Sequence, residues 1–212
     1  VSLFCLFGCT PVGTVSPTDF KLNPDGSAPL LQVSPDQRHL QSANHEPFFW
    51  LADTAWEMLH RLNYEQTNHY LITRRSQGFN VIQTVILAEQ DGLRIPNRNG
   101  DLPLHNLDPT RPNEAYFQHV DRVIKRANEL GLVVALLPTW GDKFNRKWGT
   151  GPEIFDADNA RVFGKFLGKR YAKAAIVWVL GGDRIPEEPQ DLAIIHAMAK
   201  GLQEGEGGHQ LI

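Results

Sequence analysis

Short apolar runs alternate with amphipathic segments along most of this chain. Four runs of mainly aliphatic and β-branched residues begin near Phe48, Phe79, Leu132 and Ile176, and a fifth begins at His209. Polar residues end each of the first four runs abruptly. Short, continuously apolar runs of this kind are typical of strands in a parallel sheet that is buried on both faces.

The segments between the runs have the spacing of helices. From Glu114 to Gly131, apolar side chains recur at intervals of three and four residues, which predicts a helix with one buried face. Asn63 precedes another such segment in a capping position, and Gly78 marks its end. Pro189 stands early in the last segment, where a helix tolerates proline.

This alternation predicts an α/β fold with a parallel sheet covered by helices. A doubly wound sheet and a (β/α)₈ TIM barrel both satisfy it. Long insertions always follow a strand and precede a helix, and polar residues follow almost every strand, which favours the barrel. No G-x-G-x-x-G sequence follows the first strand, which argues against a dinucleotide fold.

Such a barrel typically has about 250 residues. Four strands and the start of a fifth therefore predict that residues 31–212 form the N-terminal half of a TIM-barrel domain, with the remaining strands beyond Ile212.

Composition narrows the possible partners. The 212 residues carry a net charge of −3, and acids and bases are interspersed. Neither a nucleic-acid partner nor an anionic membrane surface is expected from this pattern. No apolar run reaches the roughly 18 residues that a membrane helix needs.

The first nine residues, VSLFCLFGC, hold both cysteines, Cys5 and Cys9. Two thiols this close to the start make neither a disulfide framework nor a zinc site. The segment is similar to the end of a secretory signal, and the LFGC sequence resembles a bacterial lipobox, although Phe7 fits it less well than a small residue would. A cut secretory signal and a scar are the alternatives.

We therefore interpret residues 1–9 as the remnant of a lipoprotein or secretory signal, with Cys9 as the lipidation site. Residues 10–30 are rich in Pro, Gly, Ser and Thr and are interpreted as a flexible linker. A lipid at Cys9 would be the protein's one contact with a membrane. It would make the protein a secreted, cell-surface or periplasmic lipoprotein of a bacterium.

Candidate functional residues gather where the predicted strands end, which is one rim of a parallel barrel. Tryptophan faces stack on sugar rings, and carboxylates and amides bind hydroxyls, so the pattern predicts an oligosaccharide or polysaccharide substrate. Glycoside hydrolysis further needs one protonated and one ionised carboxyl. The candidates are Asp53, Trp56, Gln83, Thr84, Glu89, Gln90, Asp91, Trp140, Asp142, Asp183 and Arg184.

Several candidates also have a purely structural interpretation. Asp53 can cap a helix, Trp140 can pack in the core, Glu89 and Asp91 can be solvated loop charges, and Asp142 can pair with Lys143 or Arg146. Asp183 can pair with Arg184 or cap the next helix. For Asp183 a functional role is favoured, because the two preceding glycines leave room for a ligand.

Other chemistries find little support in the sequence. None of the eight histidines forms an H-x-H pair at a strand end, so no metal site is expected. There is no G-x-S-x-G elbow and no phosphate-binding G-x-x-x-x-G-K-[ST] loop. No cofactor is predicted.

Three stretches together closely resemble the apiosidase-like catalytic domain, glycoside hydrolase family 140. They are PFFWLADTAWEMLHRLNYEQTNHYLITRRSQGFNVIQTVIL, GLVVALLPTWGDK and IVWVLGGDR. The D-T-A-W, G-F-N-V-I-Q, P-x-W-G and G-G-D elements occur in the family's order. The resemblance runs from about Leu31 to the end of the chain.

The resemblance implies a TIM barrel that removes apiose from the pectin rhamnogalacturonan II. It implies that Asp183, in the G-G-D element, is the general acid/base and that Asp53, Trp140 and Asp142 bind substrate. From their positions at the strand ends, Trp56, Gln83 and Arg184 are also expected to bind substrate. The second carboxylate, a glutamate near strand seven, matches no residue here. We therefore expect this chain alone to be inactive.

Two alternatives remain open at the level of sequence. One is a non-catalytic carbohydrate-binding module on a barrel scaffold. The other is an endo-β-glucanase-like glycosidase, in which Asn and Glu usually follow strand four, where this chain has Gly182 and Asp183.

Overall fold

The structure is a computed structural model that describes residues 23–25, 27–146, 149–183 and 185–212. The predicted signal remnant with Cys5 and Cys9, most of the predicted linker and Arg184 lie outside the described residues. Within them, no helix is both long enough and apolar enough to span a bilayer.

A small antiparallel sheet, which the sequence interpretation missed, precedes the main one. It contains β1 (Leu31–Val33), β2 (Leu40–Ser42) and β3 (Pro47–Phe48), in that order. Ala28, Leu31 and Phe48 pack on the first residues of the main strands, at the amino end of the sheet. Because Ala28 is buried and its N–H donates to the Asn128 carbonyl at 2.8 Å, the predicted linker extends too far.

The main sheet has four parallel strands in the order β4-β5-β6-β7, as predicted from the apolar runs. They are β4 (Ala52–Thr54), β5 (Val81–Leu87), β6 (Val133–Thr139) and β7 (Ile176–Trp178). The first predicted strand is split into two. Phe48 belongs to β3, which pairs antiparallel with β2, and only Ala52–Thr54 pairs with β5. Leu211 continues the parallel pairing beyond β7, where the Trp178 N–H donates to its carbonyl at 2.9 Å.

Helices connect successive strands of the main sheet, and side chains cap the first turn of several. Asn63 and Gln66 form a reciprocal capping box, and the Asn113 side chain accepts from the Ala115 N–H. Such caps satisfy backbone donors that have no partner inside the helix. The helices are α1 (Met58–Arg61), α2 (Tyr64–Ser76), α3 (Glu114–Glu129), α4 (Ala157–Tyr171) and α5 (Pro189–Glu206).

Alternate side chains of the strands enter different parts of the core. On β5, Ile82 and Ile86 pack under the helices, whereas Val81 and Val85 lie on the inner face with residues of β6. The two-residue period of a strand produces this division. Gln83 has the parity of the inner face, so a polar side chain enters that face beside Thr54, the last residue of β4.

Helices α4 and α5 pack with their backbones in direct contact. A β-carbon at Gly168 would overlap the Leu202 carbonyl oxygen, and one at Gly201 would overlap the Arg161 carbonyl oxygen. Gly164 and Gly205 lie in the same contact. This packing holds α5, the helix after the Asp183 loop, against α4.

Candidate active site

An open pocket of about 480 Å³ lies at the carboxyl ends of the strands. This is the end at which parallel barrels carry their active sites. Every strand of the main sheet contributes to it, either directly or through the loop that follows. Its lining residues are Thr54, Trp56, Gln83, Glu89, Trp140 and Asp183.

Strand pairing fixes one wall of the pocket. Thr54 of β4 and Gln83 of β5 are register partners, so their side chains stand next to each other on the inner face. The chain after β4 is held on β5, because the Ala55 N–H donates to the Gln83 carbonyl at 2.9 Å and the Thr84 hydroxyl donates to the Trp56 carbonyl at 3.2 Å. Thr84 is itself fully buried. It therefore positions Trp56 and cannot contact a ligand.

The two tryptophans form a second wall. Their rings meet edge to face, with centroids 4.9 Å apart and planes at 88°. Trp140 is only 3% exposed and packs with Val85, Ala88 and Leu137. The sequence was compatible with either a rim position or a core position for Trp140. In the structure the ring both lines the pocket and packs in the core. Trp56, which is half-buried, offers the more open surface to a sugar.

Two glycines deliver Asp183 to the pocket. Gly181 and Gly182 have φ values of 85° and 62°, a region that residues with a β-carbon rarely adopt. A β-carbon at Gly182 would overlap the six-membered ring of Trp140. The backbone at Gly182 therefore lies against the indole, and the next residue, Asp183, is exposed.

Glu89 is a pocket residue that the sequence interpretation set aside as a solvated loop charge. It lies two residues after the end of β5, is half-buried and accepts from the Gln90 side-chain amide at 3.3 Å. The next two residues, Gln90 and Asp91, have φ values of 51° and 68°. Two consecutive left-handed residues with side chains are unusual and often accompany functional sites. The signal in the sequence was the position of Glu89 at a strand end.

Asp53 was predicted to bind substrate, but the structure does not bring it into the lining of the pocket. It is adjacent to Thr54 on β4, and successive strand residues face opposite sides. Its carboxylate accepts from the Tyr70 hydroxyl at 2.8 Å and forms an ion pair with Arg74. It does not cap a helix either, since Glu57 stands before α1.

The contacts among Asp53, Tyr70 and Arg74 shift the pKa values of Asp53 and Tyr70. Burial would raise the pKa of Asp53, but the hydrogen bonds from Tyr70 and Arg74 outweigh it, and the pKa lies below its usual value. Burial, followed by the hydrogen bond to Asp53, raises the pKa of Tyr70 to about 12. The charge of Asp53 thus serves the contact between β4 and α2.

Asp142 was also predicted to bind substrate, but in this structure it is fully buried and does not line the pocket. Its carboxylate accepts from Lys143 Nζ at 2.8 Å and from the Gly151 N–H at 3.0 Å. The ion pair with Lys143, which was the structural alternative, is the one observed. It holds the turn Gly141–Lys143 directly after Trp140.

The pocket thus combines carboxylates, an amide, a hydroxyl and indole surface, a set of groups that suits a polyhydroxylated ring. No cluster of three or more His, Cys, Asp or Glu side chains suitable for a metal ion occurs in the described parts of the chain.

Several solved structures with the same fold are glycoside hydrolases. A family 5 glycoside hydrolase from Bacteroides vulgatus has a TM-score of 0.73 and 26% identity, over 88% of this chain and 39% of its own. A second glycoside hydrolase has a TM-score of 0.66 and 26% identity, over 88% and 40%. An endocellulase from Pyrococcus horikoshii, solved with cellotetraose, has a TM-score of 0.52 and 16% identity, over 89% and 57%, and shows the fold alone.

These enzymes are TIM barrels, so the predicted fold class is confirmed. The chain spans about two fifths of the length of the first two. No curated protein sequence is significantly similar to it. The model of the family described as "Apiosidase-like, catalytic domain" matches residues 34–212, which is most of the chain. The chain therefore belongs to the apiosidase-like catalytic domain family, as its sequence motifs indicated.

Proposed function

We propose that this chain carries the acid/base part of a glycosidase that releases apiose from rhamnogalacturonan II in pectin degradation. The observation that carries the proposal is the pocket in which Asp183 lies with Trp56, Trp140 and Gln83 at the carboxyl ends of the strands. Family membership supports the class of reaction, and the resemblance of the G-G-D element supports the role of Asp183.

In the proposed mechanism, Asp183 begins as the protonated carboxyl. It donates its proton to the glycosidic oxygen as the bond to the sugar breaks, and afterwards it accepts a proton from the attacking water if the configuration is retained. Its exposure allows both transfers. Trp56 would support one face of the sugar ring, and Gln83 and Thr54 would bind hydroxyls.

A second carboxylate is needed to stabilise the positive charge that develops on the sugar. The family resemblance gives this role to a glutamate on a later strand, and we propose that this residue lies outside the sequence described here. Glu89 lines the same pocket. We assign it to hydroxyl binding, since the family resemblance gives the two catalytic roles to Asp183 and to the later glutamate. The 212-residue chain would then bind glycan without cleaving it.

The test is apiose release from rhamnogalacturonan II oligosaccharides by a protein that carries this sequence within a complete barrel. We expect Asp183→Asn to lower kcat by about two orders of magnitude or more and to leave substrate binding unchanged. Equal activity of the two proteins would assign the acid elsewhere. Binding without release by the wild type would favour the carbohydrate-binding module.

We also propose that Cys9 carries a lipid that holds the protein at a bacterial cell surface. The LFGC sequence supports this proposal. Mass spectrometry of the N-terminal peptide from the membrane fraction tests it, with Cys9→Ser as the control. A Cys9→Ser protein that stays in the membrane fraction would contradict a lipid anchor.

A further inference from the structure

A second cleft, of about 470 Å³, adjoins the candidate active site. Gln90 lines this cleft, and the preceding residue, Glu89, lines the active-site pocket, so one backbone segment separates the two. We call this second cleft the arginine cleft. It is lined by His60, Arg61, Gln90, Ile95, Pro96, Asn97, Arg98 and Gly100.

The two neighbouring sites differ in charge. The described lining of the active-site pocket contains two carboxylates, Glu89 and Asp183, and the described lining of the arginine cleft contains two arginines and no carboxylate. Coulomb attraction would therefore draw the anionic part of a ligand to the cleft and away from the pocket.

The two arginines contribute differently. Arg61 forms an ion pair with Glu57, whose side chain is only 8% exposed, and donates to the Gln90 side-chain oxygen at 3.0 Å. Its charge is thus largely compensated, but its exposed guanidinium keeps further N–H groups for a ligand. Arg98 is exposed and pairs with no acid among the described residues. Arg98 therefore supplies the net positive charge of the cleft.

Two buried polar side chains in the lining have unused hydrogen-bonding capacity. His60 is 7% exposed and Asn97 is 5% exposed. The His60 ring makes its hydrogen bond to the Ile95 carbonyl through Nε2, at 2.9 Å, so Nε2 carries the proton and Nδ1 is an acceptor. The Asn97 side-chain oxygen accepts from two backbone N–H groups at 3.0 Å.

His60 Nδ1 and Asn97 Nδ2 have no hydrogen-bond partner within the described chain. Buried polar atoms are nearly always paired in proteins, so an unpaired acceptor and an unpaired donor on two residues that line a cleft indicate a missing partner. Both atoms have almost no solvent-exposed surface, so a ligand would reach them after a small movement of the lining. Hydroxyl groups both donate and accept, so the hydroxyls of one ligand can pair with both atoms.

We propose that the arginine cleft binds an acidic sugar unit of the glycan, a uronate whose carboxylate pairs with Arg98 and Arg61 and whose hydroxyls meet His60 and Asn97. Guanidinium groups bind carboxylates through paired N–H donors, with more strength than neutral hydrogen bonds. The proposal rests on the proposed function, because the uronate belongs to the same glycan chain as the sugar in the active-site pocket.

The experiment measures binding of trigalacturonate and of its fully methyl-esterified form to the 212-residue chain by titration calorimetry. The ester keeps the rings and hydroxyls and loses the negative charge. We expect the wild type to bind the acid about tenfold more tightly than the ester, as one charged hydrogen-bonded contact provides. Arg98→Gln should bind both forms with equal affinity.

Arg94→Gln is the matched control, because it removes the same charge from the same loop at a residue outside the lining. Arg94 is exposed and lies 3.6 Å from Asp91. The Arg94→Gln variant should keep the full preference for trigalacturonate over its methyl ester. The proposal is overturned if the wild type shows no preference or no binding, if Arg98→Gln retains the preference, or if Arg94→Gln loses it equally, which would indicate unspecific attraction.

Failure of this inference and failure of the proposed function are distinguishable. Apiose release that depends on Asp183, without an acid preference that depends on Arg98, would remove only the uronate site. An acid preference that depends on Arg98, without apiose release, would remove only the proposed function and leave a protein that binds acidic glycans.

Discussion

The indole ring of Trp140 lies directly on the backbone of Gly182, with no space for a β-carbon between them. This contact joins the end of β6 to the loop after β7, and it determines where the next residue, Asp183, stands. The G-G-D element thus has two functions. Its glycines adopt left-handed backbone and allow the close approach, and its aspartate enters the pocket.

Replacing Gly182 by alanine should displace this loop. The left-handed backbone alone costs an alanine about 1–2 kcal/mol, and the clash with Trp140 adds a further ~1–3 kcal/mol. Gly208→Ala is the control, since its φ is 77° but nothing lies within 4 Å of a β-carbon there. Urea unfolding checks both variants. Equal losses would show that the indole contact contributes nothing.

Close packing of α4 on α5 gives a second prediction. Alanine favours a helix over glycine by about 1 kcal/mol, yet Gly168→Ala should destabilise the protein by about 2 kcal/mol because its β-carbon would overlap the Leu202 carbonyl. Gln203→Ala, at an exposed position of α5, should change stability by less than about 0.5 kcal/mol. Thermal unfolding provides the comparison. A stabilised Gly168→Ala would contradict the packing.

The buried side chain of His119 should make the fold sensitive to acid. Burial, followed by the positive charge of Arg122, lowers its pKa, and both ring nitrogens lack a hydrogen-bond partner within the described chain. The unfolded chain therefore binds a proton below about pH 6.5 that the folded chain does not bind. Stability is complete above that pH and falls as the pH decreases towards the folded pKa.

His119→Leu should flatten this dependence between pH 7.5 and pH 5.5. His69→Gln, at an exposed position of α2, is the control and should unfold with the pH dependence of the wild type. Urea unfolding at the two pH values measures the difference. If the His119→Leu and wild-type curves shift equally with pH, His119 is not the group responsible.

Asp53→Asn separates a structural carboxylate from a ligand-binding one. It should lower stability by about 1 kcal/mol at pH 7, because the ion pair with Arg74 is lost. Since the pKa of Asp53 is lowered in the folded state, this loss should shrink as the pH falls below about 4. Oligosaccharide affinity should be unchanged, whereas Gln83→Ala should weaken it. Weaker binding by Asp53→Asn would restore its predicted role.

The periodicity of the sequence was sufficient to predict a parallel sheet and its helices, and the long insertions after the strands favoured the barrel. Continuous apolar runs can only be buried between helices, and Asn63 and Pro189 mark helix starts by local chemistry that needs no tertiary contact. The resemblance led to the family. The hairpin β1–β2 was missed, because three-residue strands leave almost no periodic signal.

Individual site residues were harder to assign, because their roles depend on register and distance. Asp53 and Thr54 differ by one position, and only pairing with β5 shows which faces the pocket. Asp142 and Lys143 neutralise each other inside the protein, although adjacent charges in a loop suggest exposure. The functional role of Glu89 was given too little weight. The two residues after it, Gln90 and Asp91, adopt left-handed backbone, and without a glycine there the sequence gives no sign of that conformation.

The central claim is that Asp183 acts as the general acid/base, and the leaving group of the substrate tests it most directly. Asp183→Asn and the wild type, each within a complete barrel, would be compared on a natural-linkage apiose oligosaccharide and on an aryl apioside whose phenol needs no protonation to leave. We expect a loss of about two orders of magnitude or more on the oligosaccharide, and a far smaller loss of sugar–oxygen cleavage on the aryl apioside. Equal losses on both substrates, or no loss on the oligosaccharide, would contradict the role of Asp183.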